Sequence, residues 1–134
     1  VNYANPDMLG HTGDFNATVK SNEITDAYTA QLAMETLKKG GSVIITADHG
    51  NCETMINRVT KEVDIAHTNN PVPFVIIDSI EQVQNKDGRE VEKIGTGDRA
   101  KVTGILADVS PTVLGSMGVD IPSSMTGMDL NRVI

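Results

Sequence analysis

Residues 43–51 read Val-Ile-Ile-Thr-Ala-Asp-His-Gly-Asn, and this stretch decides the predicted fold. Its first half, Val43–Ala47, is a short apolar run without alternation, which is typical of a strand buried on both faces. The run ends at two polar side chains, Asp48 and His49. Ligands of open α/β sheets bind outside the carboxyl ends of the strands, so this turn is a candidate binding site.

Two further segments extend this strand into an α/β pattern. The stretch from about Asn16 to Lys39 carries apolar side chains at helical spacing and is followed by Gly40 and Gly41, which predicts a helix and its end. A second unbroken apolar run, Pro73–Ile77, predicts another buried strand. Together they predict an α/β fold with a mostly parallel sheet flanked by helices.

The remaining segments predict short elements. Val1–Ala4 is typical of a strand end that leads into a polar turn, and the polar stretch Gln82–Ile94 predicts a solvent-exposed β-hairpin. A last helix is expected to start with Ser110 as its N-cap and Pro111 at its first position, and to end at Gly118.

The composition excludes several classes of protein. The chain has 134 residues, of which 39% are hydrophobic, and this is the size and apolar content of one ordinary globular domain. No apolar run approaches the roughly 18 residues of a membrane-spanning helix. Eleven basic against 18 acidic residues give a net charge of −7, which argues against binding to nucleic acid or to anionic membranes. We therefore expect no nucleic-acid partner and no membrane partner.

The start of the chain and its single cysteine bear on its origin and location. The sequence begins at Val1 with no Met and no signal peptide, so we expect that residues precede it in the natural protein. One cysteine, Cys52, excludes an internal disulfide framework. These features fit a reducing compartment, and we expect a cytoplasmic location.

Three histidines in polar, turn-like segments are the candidate metal ligands: His11, His49 and His67. A single histidine in a loop is usually a solvated or hydrogen-bonded structural residue, so none is decisive alone. However, Asp7 precedes His11 by four residues, and one helical turn would place both on the same side. Asp48 and His49 follow a strand end, where a turn lets both reach one ion. Mixed carboxylate and imidazole ligands suit Mn²⁺ or Zn²⁺ rather than Ca²⁺, and these five side chains fit two ions that share a phosphate.

Several longer strings carry a family resemblance: Asn2–Gly13, Thr46–Asn51, His67–Phe74, and Leu106–Thr112 followed by Met125–Gly127. In content and order they resemble the motifs of the cofactor-independent (2,3-bisphosphoglycerate-independent) phosphoglycerate mutases, a family of the alkaline phosphatase superfamily. The match is dense over residues 1–74 and 106–127 and vague between residues 78 and 103. Asp-His-Gly alone would indicate the superfamily, whereas Asn-Pro-Asp-Met-x-Gly-His-Thr-Gly points to the mutases.

The resemblance implies an isomerase of glycolysis that interconverts 3-phosphoglycerate and 2-phosphoglycerate through a phosphoserine intermediate. It implies two Mn²⁺ or other divalent ions as cofactors. Asp7, His11 and His67 would hold one ion, and Asp48 and His49 would hold the other. No catalytic residue is expected in this segment, because the family's nucleophilic serine lies upstream and most of its substrate-binding groups lie in an inserted domain.

The resemblance also implies that residues 1–134 are the C-terminal part of a discontinuous, metal-binding phosphatase-like domain, without its N-terminal strands and its inserted substrate domain. We expect the full enzyme to bind phosphoglycerate as a monomer, and the isolated chain to be inactive and to self-associate through uncovered apolar surface. Two alternatives stay open. One is another enzyme of the alkaline phosphatase superfamily, such as a phosphopentomutase or a phosphatase, and the other is a non-catalytic metal-binding or structural fragment.

Overall fold

The structure, a computed structural model, describes residues 1–78 and 104–132. The chain divides into two units, residues 1–87 and residues 88–134. The hairpin predicted at Gln82–Ile94 lies outside the described residues. No helix within the described ranges combines the length and the apolar character needed to cross a membrane.

The first unit contains two helices and two strands in its described part: α1 (Asn5–Gly10), α2 (Phe15–Lys38), β1 (Val43–Thr46) and β2 (Phe74–Ile77). The long helix and both strands were expected from the apolar patterns, and their observed ends differ from the expected ends by one residue. The helix and strand content of the predicted α/β fold is therefore confirmed for this unit.

Helix α2 begins and ends with capping interactions that its sequence specifies. Asp14 Oδ1 accepts a hydrogen bond of 2.9 Å from the backbone N–H of Ala17, which satisfies a donor left free by the first turn. At the other end Gly40 has a φ of 74°, and Gly41 N–H donates to Thr36 O at 3.1 Å. The glycine stop is thus confirmed, because a residue with a side chain would be strained at this φ.

The start of the chain differs from the expectation. Residues 1–4 form no strand, and helix α1 follows directly, so the predicted strand end and polar turn are wrong. Pro6 lies in the first turn of α1, where its fixed φ favours a helix and its missing N–H removes no helical hydrogen bond. Asp7 O accepts the backbone N–H of His11 at 3.0 Å, so these two residues are one helical turn apart.

Strands β1 and β2 pair antiparallel, with Val43 opposite Ile77 and Thr46 opposite Phe74. The parallel arrangement expected from these runs is therefore wrong for this pair. Parallel neighbours need a crossover connection, usually a helix, whereas residues 47–73 contain no helix. Neither strand is fully buried, which also differs from the prediction of burial on both faces.

A loop between β1 and β2 folds back on itself and brings two segments together. Asp64 N–H donates to Met55 O at 2.9 Å, and Asn57 N–H donates to Glu62 O at 2.9 Å. Beyond this loop the chain runs antiparallel to residues 48–54, with an isolated bridge that joins Gly50 to Thr68. The segments that carry His49 and His67 therefore lie side by side.

The second unit is described over residues 104–132. It consists of helix α3 (Val109–Ser116) between two 3₁₀ turns, Leu106–Asp108 and Leu130–Arg132. The N-cap of α3 is Asp108 rather than Ser110, because the first 3₁₀ turn runs directly into the helix. The predicted stop is confirmed: Gly118 has a φ of 66° after the last turn.

A buried polar cluster holds the second unit together. Asp108 is 3% exposed, and its carboxylate accepts the N–H groups of Ile105 at 2.8 Å and Met128 at 2.7 Å. Thr112 is 0% exposed, donates its hydroxyl to Asp108 O at 2.6 Å and accepts Leu130 N–H at 3.0 Å. These bonds fix both 3₁₀ turns against α3.

Much apolar surface of the first unit stays open to solvent. In its described part the buried hydrophobic side chains are those of Ala33, Leu37 and Met55. Helix α2 exposes several large apolar side chains: Val19, Ile24, Tyr28 and Leu32. An exposed apolar helix face of this kind is typical of a surface that another element covers.

Candidate metal centre

Helix α1 brings the first two predicted ligands together. Asp7 Oδ1 lies 3.3 Å from His11 Nε2, as residues four apart on a helix allow. The prediction that one helical turn would place both side chains on the same side is confirmed.

His67 reaches the same point from the loop that precedes β2. Its Nε2 lies 3.1 Å from Asp7 Oδ1 and 2.9 Å from His11 Nε2. The three donor atoms thus form a triangle with sides of 2.9 to 3.3 Å. Bonds of 2.0–2.1 Å in a tetrahedral site place the ligand atoms about 3.3–3.4 Å apart. The triangle therefore has close to the dimensions of one face of such a site.

The ring of His11 is oriented by its second nitrogen. Nδ1 lies 2.7 Å from Ile65 O, and a carbonyl oxygen only accepts hydrogen bonds, so Nδ1 is the donor. In the neutral ring the proton is then on Nδ1, and the lone pair of Nε2 points into the triangle. Metal-bound histidines are usually held in this way by a partner on the far nitrogen.

Asp7 supplies the observation that tests whether these residues fit a cation. Its Oδ1 is buried and has no hydrogen-bond partner among the residues that the structure describes, although histidine nitrogens surround it. A carboxylate oxygen buried without a partner is costly, and a divalent cation beside it would remove that cost. One carboxylate and two imidazoles also form a donor set that suits Mn²⁺ or Zn²⁺. The residues present therefore fit a metal ion.

Asp48 and His49 lie next to this triangle. His49 Nδ1 is 4.0 Å from Asp7 Oδ1, and His49 Nε2 is 3.7 Å from Asp48 Oδ1. The His49 ring stacks on that of His67, with centroids 3.7 Å apart. Donor atoms of Asp7, His49 and His67 all lie within 4.8 Å of one another. The structure thus brings four of the five predicted ligands together, and Asp48 joins them only through its neighbour His49, with its side chain 87% exposed. The division of the ligands between two ions stays a prediction.

Close packing seats helix α1 on the loop that carries His49. A Cβ atom built on Gly10 would overlap Asn51 Oδ1, so only glycine fits between the helix and this loop. Cys52 Sγ donates to Pro6 O at 3.0 Å. The helix that carries Asp7 is thereby tied to the second ligand segment.

Sequence reasoning missed the polar residues that join the two loops. Glu53 accepts hydrogen bonds from Asn51, Thr68 and Asn70. The available signal was position, because Glu53 follows Asp-His-Gly by three residues and Thr68 follows His67 directly. Spacing along the chain gave no reason to pair residues 15 or 17 positions apart.

Comparison with known proteins identifies the family. A family model described as the Metalloenzyme superfamily matches residues 1–121. The chain belongs to the metalloenzyme superfamily. A donor set of carboxylates and imidazoles is what membership of the metalloenzyme superfamily leads one to expect.

This metalloenzyme chain is also similar to curated proteins named 2,3-bisphosphoglycerate-independent phosphoglycerate mutase. It is 45% identical to that of Clostridium tetani, 43% to that of Agrobacterium fabrum and 42% to that of Gloeobacter violaceus, each over 130 residues. Each alignment covers 97% of this chain and 23% of the relative. The resemblance drawn from the motifs is confirmed, and the chain spans about a quarter of the length of these relatives.

Proposed function

We propose that this chain is the C-terminal metal-binding segment of a cofactor-independent phosphoglycerate mutase. The enzyme interconverts 3-phosphoglycerate and 2-phosphoglycerate in glycolysis through a phosphoserine intermediate. One observation carries the proposal: the donor atoms of Asp7, His11 and His67 converge at 2.9 to 3.3 Å. The names of the relatives favour the mutase over a phosphopentomutase or a phosphatase.

Residues 1–134 belong, in this proposal, to one discontinuous phosphatase-like domain with a mostly parallel sheet. The remaining strands, the nucleophilic serine and the inserted substrate domain lie in the rest of the enzyme. The 23% coverage of the relatives supports this assignment. The exposed apolar side chains of α2, among them Ile24 and Tyr28, are the surface expected where such strands are missing.

Asp7, His11 and His67 hold one Mn²⁺ ion, and Asp48 and His49 hold the other. Such ions supply neutralisation of phosphoryl charge and activation of a hydroxyl nucleophile. The chain's own contribution is to hold the donor atoms in place: the Ile65 carbonyl fixes the His11 ring, and α1 fixes Asp7 beside it.

The full enzyme acts as a monomer in the cytoplasm, with phosphoglycerate as substrate and without nucleic-acid or membrane partners. Its segment studied alone self-associates, because the apolar face of α2 is uncovered. Sedimentation velocity over a range of concentrations tests this behaviour. A dilute monomer with a sharp two-state melt would contradict it.

An enolase-coupled assay with Mn²⁺ tests the activity. The isolated chain should give no turnover because it lacks the nucleophilic serine, whereas the full enzyme should turn over, lose activity in EDTA and regain it with Mn²⁺. Clear turnover by the isolated chain would refute this division of roles. Activity of the full enzyme on a phosphopentose instead of phosphoglycerate would favour the phosphopentomutase.

Titration calorimetry with Mn²⁺ tests the metal site directly. The chain should bind Mn²⁺. His11→Ala should bind it at least about 10- to 100-fold more weakly, because loss of a group behind a ligand already has that effect and here a donor of the triangle itself is gone. Identical isotherms for the two proteins would overturn the ligand assignment.

A further inference from the structure

The loops that carry His49 and His67 are not held by a helix or by the paired strands. His49 lies in residues 47–54 and His67 in residues 64–70, and both segments are irregular. One backbone hydrogen bond joins them, from Thr68 N–H to Gly50 O at 2.8 Å. Segments of this kind need further ties to keep two side chains in a fixed relative position.

The side chain of Asn51 gives two long ties, with Nδ2 3.4 Å from both Ile65 O and Ala66 O. The carboxylate of Glu53 gives shorter ones, because it accepts hydrogen bonds from both loops. Oε2 accepts the backbone N–H of Asn51 at 2.7 Å. Oε1 accepts the side-chain N–H of Asn70 at 2.9 Å and the hydroxyl of Thr68. Asn51 lies two residues after His49, and Thr68 directly follows His67. One side chain therefore joins residues that lie one or two positions after two predicted ligands.

The approach of the two loops is close enough to depend on a glycine. A Cβ atom built on Gly50 would overlap both Thr68 Oγ1 and the Glu53 carboxylate. The two loops are therefore in close contact at Gly50, and the Glu53 carboxylate lies beside this contact.

Glu53 is suited to this role as an ionised group. Its partial burial acts to raise the pKa of the carboxyl, but the hydrogen bonds from Thr68, Asn70 and the backbone outweigh burial and hold the pKa below its ordinary value. The side chain is thus a carboxylate at neutral pH, and hydrogen bonds to a charged acceptor are stronger than neutral ones.

We infer that Glu53 is a positioning residue that holds the His67 loop against the His49 loop and so sets the distance between the two histidines. The inference rests on the proposed function for its link to metal binding. The stacking of the His49 and His67 rings, with centroids 3.7 Å apart, is the geometry that Glu53 maintains.

The first arm of the test needs no metal. Ring protons of His49 and His67 should give a nuclear Overhauser effect in the metal-free chain, because the rings are stacked. Glu53→Ala should lose this signal. Glu53→Gln should keep part of it, since Gln retains one acceptor oxygen for Thr68 and Asn70. The matched control is Glu62→Gln, an exposed glutamate whose side chain makes no hydrogen bond within the described residues, and it should keep the full signal.

The second arm measures Mn²⁺ affinity by calorimetry on the same proteins. Glu53→Ala should bind about 10- to 100-fold more weakly than the unmodified chain, as other changes behind metal ligands do. Glu53→Gln should lie between the two, and Glu62→Gln should match the unmodified chain. A purely structural role would predict the same Mn²⁺ affinity in every variant that folds.

If Glu53→Ala does not fold, as judged by circular dichroism, Thr68→Val and Asn70→Ala decide in its place, since each removes one bond to Glu53. Their effects on affinity should be smaller than for Glu53→Ala and non-additive in the double variant. A full ring signal or unchanged affinity in the folded variants overturns the inference. Failure of the unmodified chain to bind Mn²⁺ would instead count against the proposed function, and the ring signal would still decide whether Glu53 positions the histidines.

Discussion

Glu53 in the first unit and Asp108 in the second are carboxylates whose pKa is held low in different surroundings. Glu53 is largely exposed, and its carboxylate accepts hydrogen bonds from one backbone N–H and two side chains of two irregular loops. Asp108 is 3% exposed, and the backbone N–H groups of Ile105 and Met128 lower the pKa of its carboxyl against the effect of burial. The bonds to Glu53 adjoin two histidines, whereas those to Asp108 adjoin a helix start.

The difference shows that a lowered carboxyl pKa does not identify a functional site by itself. Asp108 organises the backbone of a 3₁₀ turn, and no histidine lies in the described part of its unit. Glu53 has a comparable set of donors, but those donors lie beside His49 and His67. The chemistry of the neighbours, not the shift, separates the two carboxylates.

The largest expected effect is on Mn²⁺ affinity, which should depend on a carboxylate of the first unit and not on one of the second. Asp7→Asn removes the negative charge at one corner of the donor triangle, so Mn²⁺ binding should weaken by about 100-fold. Asp26→Asn makes the same chemical change on the exposed side of α2, and Asp108→Asn makes it in the second unit. Calorimetry should find unchanged Mn²⁺ affinity in both. Equal losses in all three variants would show that charge alone governs binding.

The next effect concerns the stability of the second unit. Thr112→Val leaves the buried N–H of Leu130 without its acceptor, and the free energy of unfolding should fall by about 1–3 kcal/mol. Thr126→Val, at an exposed threonine of the same unit, should change it by less than about 0.5 kcal/mol. Urea unfolding, followed by amide exchange at Leu130, measures both. Mn²⁺ affinity should stay constant, and a fall in affinity would mean that the two units are coupled.

A matched pair of glycines tests whether the units respond alike to a backbone change. Gly40 has a φ of 74° and Gly118 a φ of 66°, and a Cβ atom at either position would meet no atom within 4 Å. Gly40→Ala and Gly118→Ala should therefore each cost only the backbone strain, about 1 kcal/mol. Thermal melts give the two values. Clearly unequal costs would point to packing at one site.

The smallest effect is the pH dependence that each carboxylate contributes. A folded pKa below the ordinary value means that the unfolded chain binds more protons in this range, so stability rises with pH. The contribution is present above the ordinary pKa of 4.5 for Glu53 and 3.8 for Asp108, and is lost as the pH falls through the folded pKa.

Urea midpoints from about pH 6 down to about pH 2 measure this dependence. The curve of Asp108→Asn should be flatter than that of the unmodified chain. Glu53→Gln should flatten it less, because solvent screens the exposed Glu53. If Glu53→Gln flattened the curve more than Asp108→Asn, the expectation that Asp108 contributes more to the pH dependence of stability would be wrong.

The sequence predicted those parts of the site that depend on near neighbours. The helical turn between Asp7 and His11, and the strand end at Asp48 and His49, follow from spacing within a few residues. The meeting of His67 with α1 depends on the path of a long irregular loop, and the motif resemblance rather than periodicity indicated it.

Other features could not be predicted because they depend on distant partners. Whether β1 and β2 run parallel or antiparallel is set by the connection between them, and an apolar run such as Phe74–Ile77 is the same in either case. The segment Val1–Ala4 has residues suited to a strand, but strand formation needs a neighbour, and Pro6 favours helix instead. The bonds of Glu53 to Thr68 and Asn70 require the same loop path.

Gly10 limits the range of sequences that can form this site. Because a side chain at this position would overlap Asn51, a saturation library should retain only glycine there, and Gly50 should behave in the same way. Gly40 and Gly118, which have open space around them, should accept asparagine. Mutational tolerance would then vary among glycines by their contacts, and the intolerance of Gly10 and Gly50 would mark where the metal-bearing segments touch.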